Sequence, residues 1–217
     1  MRAVAPVAVE RVVRSEDGER WGALLWRAGA GWRMVSSAVL GGGIGERGWV
    51  LNAQVPHGYR RTDPERHLAE IAAAAGESGP GVGLMTAADV GAYGEGRDGG
   101  VTAVATVGLG VHGWAAAPAG RVPSPAAPGT VNILVVVPAA LTDGALVNAV
   151  ATATEAKVQA LLRAGYDCSG TPTDAVCVAA RTTGRGEPHA FAGPRSLWGA
   201  RLARAAHAAV LAATPAP

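Results

Sequence analysis

Apolar residues change their spacing several times along this chain, and each change marks an element. Residues 10–28, ERVVRSEDGERWGALLWRA, alternate apolar and polar positions on both sides of Asp17-Gly18, the pattern of a β-hairpin around a tight turn. Residues 32–56 hold two strand-like runs interrupted by Ser36-Ser37 and the triple glycine Gly41-Gly42-Gly43. The spacing then lengthens to that of a helix in TDPERHLAEIAAAAG (62–76), with Pro64 at a first helical position and Gly76 as the stop. GVGLMTAAD (81–89) and VTAVATVGLG (101–110) read as short buried strands, and VGAYGEGRDGG between them as a loop.

The pattern is sharpest in the second half. TVNILVVVP (130–138) predicts a strand that Pro138 stops, and LTDGALVNAVATATEAKVQALLRAGY (141–166) a long helix with Thr142 or Asp143 as cap and Gly165 as terminator. CSGTPTDAVCVAA (168–180) passes from a polar turn into an apolar, β-leaning run, and residues 186–213 supply a turn and a terminal helix. Residues 111–129 contain four prolines and are the best candidate for a loop covering a site. Strands alternating with helices, plus a hairpin, predict an α+β fold: one compact domain over residues 1–217, a mixed or antiparallel sheet packed by helices.

Composition adds limits. With 49% hydrophobic residues but only 5% aromatic ones, Ala, Val and Leu must fill the core. The formal charge of +2 and the scattered arginines give no basic face for nucleic acid. No run approaches the length of a membrane span, and the N-terminus turns charged too early for a signal peptide, so a cytoplasmic protein without membrane partners is expected. The bias to Ala, Gly, Val and Arg points to a high-GC bacterial genome. Cys168 and Cys177 are too few for a disulfide framework, and no Cys/His spacing predicts a metal site.

Candidate chemistry gathers at four places. On the long helix, Asn148, Thr152, Glu155 and Gln159 share one face, beside a stripe of Val147, Val150, Thr154, Val158 and Leu161 expected to be its core side. The polar stripe is either a solvated face or the lining of a cavity. Asn132 and Asn52 lie inside strands, where an amide needs a partner. His57, in a Pro-Gly-flanked loop, is either solvated or an acid/base group. Thr171, Thr173 and Asp174 either fix their own turn or present hydroxyls and a carboxylate to a ligand. Gly41-Gly42-Gly43-Ile44-Gly45 lacks the lysine of a P-loop.

SSAVLGGG, VLNAQVPHGY, ATVGLG, PGTVNILVVV, LTDGALVNAVATATEAKVQALL, SGTPTDAVCVAA and AGPRSLWG, in that order from about Ser36 onward, resemble the adenosylcobinamide amidohydrolase family, the CbiZ type. The resemblance implies a compact α+β domain that cleaves the amide joining aminopropanol to the corrin ring, yielding adenosylcobyric acid in corrinoid salvage. It implies no cofactor beyond the cobalt of the substrate, a small corrinoid as partner, and room for a homodimer. Arg195 and Val111-His112-Gly113 depart from the expected pattern. The chemistry of amide hydrolysis then makes Glu155 the expected base or acid, Asn132 and Asn148 the donors that orient the amide, and Thr171 or Thr173 the nucleophile or oxyanion donor. Asn52, His57, Asn148, Thr152 and Asp174 line the substrate, and Trp114 offers an apolar contact to the corrin face. A corrinoid-binding module without catalysis, or an amidase for another amide, is the alternative.

Overall fold

The computed structural model describes residues 7–118, 129–184 and 186–216. Among the described residues, ten strands form two mixed sheets. β1 (Glu10–Glu16), β2 (Glu19–Arg27), β5 (Trp49–Gln54) and β6 (Val82–Thr86) make a four-stranded sheet in the order β1-β2-β5-β6. The second sheet takes β3 (Trp32–Ser36), β4 (Gly43–Glu46), β7 (Gly94–Asp98), β8 (Val101–Val107), β9 (Val131–Ala140) and β10 (Ala175–Arg181) in the order β4-β3-β10-β9-β8-β7. Each sheet is built from antiparallel pairs and one parallel pair. The parallel pairs, β5 with β6 and β9 with β10, are the two joined through a helix, as a parallel connection requires. Those helices are α1 (Pro64–Ala74) and α2 (Asp143–Arg163), and α3 (Leu197–Ala213) ends the chain.

Side-chain alternation orders the layers. From β9, Val131, Ile133, Val135 and Val137 pack on α2 and α3, whereas Leu134 and Val136 meet Trp26, Val50 and Leu84 of the smaller sheet. Leu25, Leu51 and Ala53 face outward onto Leu68 and Ile71 of α1. The order is therefore α1, small sheet, large sheet, then α2 and α3 side by side. The sequence led to one sheet; two are present because β9 and β10 are apolar on both faces and need a cover on each.

Local signals act as read. Asp17 (φ 53°) and Gly18 (φ 80°) form the primed turn of the β1–β2 hairpin. Thr142 caps α2 by accepting from the Ala145 N–H at 3.2 Å. At its far end Gly165 takes φ 95°, and the Tyr166 N–H reaches the Leu161 carbonyl at 3.0 Å.

Three expectations are corrected. The supposed loop of 90–100 contains β7, paired with β8 through Gly99-Gly100. Its glycines hid it, and they are required because a Cβ at Gly94 or Gly96 would run into the carbonyl of Ala209 or Ala205 on α3. Pro138 does not stop β9, which continues to Ala140. The proline lies past the last β8 pair, Thr102 with Val136, and at a register shift against β10, where a missing N–H breaks no ladder bond. Of the stripe expected to be the core side of α2, only Leu161 is fully buried and Val150 leans on the core; the buried face is chiefly Ala145, Ala149, Ala153, Ala156 and Ala160, with Leu146. Small side chains let the helix settle close to β10 and α3, and Val147 is left 58% exposed.

Candidate functional site

At the end of the large sheet where β8 finishes and β9 and β10 begin, the 168–174 turn, α2 and the 111–118 loop enclose a cavity of about 480 Å³. Its wall includes Thr154, Lys157 and Val158 of α2, Gly170 and Thr171 of the turn, and His112 and Trp114 of the loop. An ammonium and several hydroxyl groups thus meet at its wall.

Asp174 organises it. One carboxylate oxygen accepts from the Val131 N–H at 2.8 Å and the Thr171 hydroxyl at 2.5 Å; the other accepts from the Thr171 N–H at 3.1 Å and pairs with the Lys157 ammonium. The carboxylate thus ties the turn to the first residue of β9 and to the middle of α2. The Lys157 and Asp174 side chains retain 8% and 12% of their exposure, so both charges are compensated chiefly by each other. Gly170 makes room for the pair: it sits at φ 142°, and a side chain there would strike both the carboxylate and the ammonium. Thr173 exchanges a hydrogen bond with Thr130 at 2.6 Å and donates to the Gly129 carbonyl at 3.0 Å.

The loop is sewn to the same turn. The Gly113 N–H donates to the Gly170 carbonyl and the Ser169 N–H to the Gly113 carbonyl, both at 2.9 Å, while Ser169 Oγ accepts from the Ala115 N–H at 2.7 Å. Trp114 is 46% exposed at the cavity wall. His112 packs edge-on against Tyr166, with ring centroids 5.4 Å apart. Of the proposed cover, 111–129, residues 119–128 lie outside the described residues.

Thr171, Asp174 and Trp114 are thus brought together, with Thr173 behind the turn. The other candidates are elsewhere. Strand alternation turns Asn132 away from the cavity, into the gap between the sheets, where its amide donates to Asn52 Oδ1 and to the Met85 carbonyl, each at 2.9 Å. Asn52 donates onward to Thr106 Oγ1 at 2.9 Å, so the two asparagines bridge the sheets. Asn148 accepts from the Ala192 N–H at 3.3 Å and Thr152 donates to the Ala192 carbonyl at 2.9 Å. One turn apart on α2, they clamp both backbone polar groups of Ala192 in the lead-in to α3. Glu155 is exposed on that flank and His57 is exposed in its loop. The shared pocket expected for Asn52, Asn132, Asn148, Thr152, Glu155 and Thr171 is therefore not formed.

Lys157 was missed from sequence. Its signal is a lone cation within the alanine row from Ala145 to Ala160, a position that buries it. The cysteines add no reactive group: burial raises the thiol of Cys168 and pushes that of Cys177 up to about 12. Among the described residues no three His, Cys, Asp or Glu side chains group as metal ligands, and no helix is long and apolar enough to cross a membrane.

The model of the CbiZ family, adenosylcobinamide amidohydrolase, matches residues 6–216. The chain belongs to this family. It is accordingly an enzyme that hydrolyses an amide. An adenosylcobinamide amidohydrolase from Methanosarcina mazei is 37% identical over 146 residues, 67% of this chain and 68% of the relative. The crystal structure of the PH0078 protein from Pyrococcus horikoshii OT3 covers 94% of this chain and 83% of its own, with a TM-score of 0.51 at 13% identity, a likeness of fold alone. The family's chemistry demands a nucleophile, a proton acceptor and a group to meet the oxyanion. Thr171, Asp174 and Lys157 are those types, within one hydrogen-bonded chain.

Proposed function

We propose that this protein hydrolyses the amide joining aminopropanol to the corrin ring of adenosylcobinamide, releasing aminopropanol and adenosylcobyric acid in corrinoid salvage. The observation that carries this reading is the buried Lys157–Asp174 pair bonded to the Thr171 hydroxyl at a cavity wall, in a chain of this family. The cobalt arrives with the substrate, and the protein supplies no cofactor of its own.

The Thr171 hydroxyl attacks the amide carbonyl while Asp174, already its hydrogen-bond acceptor, takes the proton. The Lys157 ammonium, held against Gly170 by the same carboxylate, offsets the negative charge that develops on the carbonyl oxygen. Collapse of the tetrahedral species breaks the C–N bond, and the proton on Asp174 passes to the departing amine. Water then attacks the Thr171 ester, again losing a proton to Asp174, and the hydroxyl of Thr171 is restored as the acid leaves. Lys157 acts electrostatically throughout, a contribution worth roughly 10²–10³ in kcat for one such donor.

The test is release of free aminopropanol from adenosylcobinamide by the purified protein and its variants. Thr171→Ala is expected to abolish turnover and Thr171→Ser to retain a measurable part, while wild type quenched in acid during turnover carries the corrinoid acyl mass on the Thr171 peptide. Full activity in Thr171→Ala sinks the covalent route. Tight binding of the corrinoid with no release by wild type would mean a binding module instead.

A further inference from the structure

The cavity explains one flank of α2, but its outer surface poses a second question. Val147, Val150, Thr154 and Val158 form a row along the helix; Val147, at 58%, and Thr154 are exposed, whereas Val158 is half-buried and Val150 leans half-buried against the core. An exposed helix flank ordinarily carries charge, and this row carries none. Its span from Val147 to Val158 is about 16 Å at the rise of an α-helix. The opposite flank is closed by the lead-in to α3, clamped through Asn148 and Thr152. On the valine side, among the described residues, no helix stands next to α2.

The large sheet continues under that gap. Ile44 of β4 pairs with Val35 of β3, so their side chains share a face. Val35 is buried in the core beneath α2, which makes this the helix-side face, yet Ile44 is 37% exposed. The head of the gap is closed by Arg33 of β3, bidentate on Asp143 at 2.7 and 2.8 Å. Its other end runs into the cavity through Thr154 and Val158. The molecule therefore has a largely apolar shelf, bounded at its head by Arg33, Asp143 and Glu46 and continuous with the reacting groups.

We infer that this shelf, from Ile44 and Val147 to Val158, is the bed of the corrin macrocycle. The inference rests on the proposed corrinoid substrate. A cavity of about 480 Å³ takes a side arm and its amide, but not a nucleoside-bearing corrinoid, so the ring must lie outside it. The scissile arm enters at Thr171, and the ring rests on the adjoining surface. The shelf is long enough for a substituted macrocycle, and Trp114 lines the adjoining cavity from the loop.

Val147→Asp and Ile44→Asp put charge on opposite sides of the shelf at exposed positions, so both variants are expected to fold, as circular dichroism will show. Each should raise KM for adenosylcobinamide, and Kd for cobyric acid read by quenching of tryptophan fluorescence, at least about tenfold, the weight of one valine-sized contact. Turnover number should stay within about twofold, and Gln159→Lys on the opposite flank should change neither constant. Unchanged KM and Kd in both shelf variants overturn the assignment. So does light scattering that finds wild type dimeric and Val147→Asp monomeric with Kd unaltered, because the shelf is then covered by a second copy. Weakened cobyric acid binding in a protein whose wild type releases no aminopropanol keeps the bed and removes the amidohydrolase reading.

Discussion

Lys157→Met removes the buried ammonium and leaves a side chain of similar length in its place. What remains is Asp174 in the same enclosure, with three of its donors intact: the Val131 N–H, the Thr171 N–H and the Thr171 hydroxyl. Removing one member of a buried pair costs about 3–5 kcal/mol, because the other charge stays desolvated without compensation. The surviving donors put the expectation at the lower end, about 3 kcal/mol. For a protein of this size, each kcal/mol moves Tm by about 2–4 °C, so a fall of about 6–12 °C follows. Asp174→Asn alone strands the ammonium and weakens the turn. The double variant Lys157→Met/Asp174→Asn, with neither charge, should lose clearly less than the two single losses combined, with an interaction energy of about 1–3 kcal/mol. Urea titration near neutral pH gives all four stabilities, and repetition in high salt should change the coupling little, since a buried pair is poorly screened. A loss below about 1 kcal/mol for Lys157→Met with no coupling is the behaviour of an exposed ion pair. It would refute the argument that this pair anchors the site.

Glu155→Gln, on the exposed flank of α2, should leave kcat for aminopropanol release near wild type and stability within about 0.5 kcal/mol; loss of turnover would return Glu155 to the site. Gly96→Ala should lower stability by about 1–3 kcal/mol in thermal unfolding, because its Cβ meets the Ala205 carbonyl of α3. Cys177 titrates near 12 when folded against an ordinary value of 9.0, so the unfolded chain loses this proton first. Its contribution is intact below about pH 9 and falls by about 1.4 kcal/mol per pH unit from there towards pH 12. Relative to wild type, Cys177→Ala should lack that slope in denaturant titrations, and parallel curves would contradict it.

Much of the architecture was legible because its signals are local. Asp17-Gly18, Thr142 and Gly165 each do their work through their own backbone and a neighbour two to four residues away. What stayed hidden depends on partners distant in sequence. β7 is glycine-rich only because α3 lies on it, more than a hundred residues later in the chain. In β9, Ile133 to Val137 is apolar on both faces, so no alternation there reveals which side meets helices and which meets the second sheet. Once that ambiguity is resolved, Asn132 falls on the sheet side, and so does its partner Asn52.

The candidate site divides in the same way. The Ser169–Asp174 turn was recognisable from its hydroxyls and carboxylate, but the cation that completes it lies on the preceding helix. Valine outranks alanine in hydrophobicity, so the pattern of α2 favoured the valine row as the core side and left Lys157 unremarked beside it. Close packing reversed the choice: alanines allow α2 to approach β10 and α3, and Val147 and Thr154 are turned out. The reversal also brings Lys157 inward, because it shares the alanine face, and there the desolvation of an ammonium makes a carboxylate partner necessary. Asp174 meets that need while holding Thr171 by both its N–H and its hydroxyl. The packing that buries the lysine and the turn that presents the threonine are thus joined through one carboxylate. A substitution that loosens α2 from β10, such as Ala153→Leu, should therefore lower kcat without touching the cavity. Preserved kcat in a variant whose unfolding midpoint has fallen would separate the two.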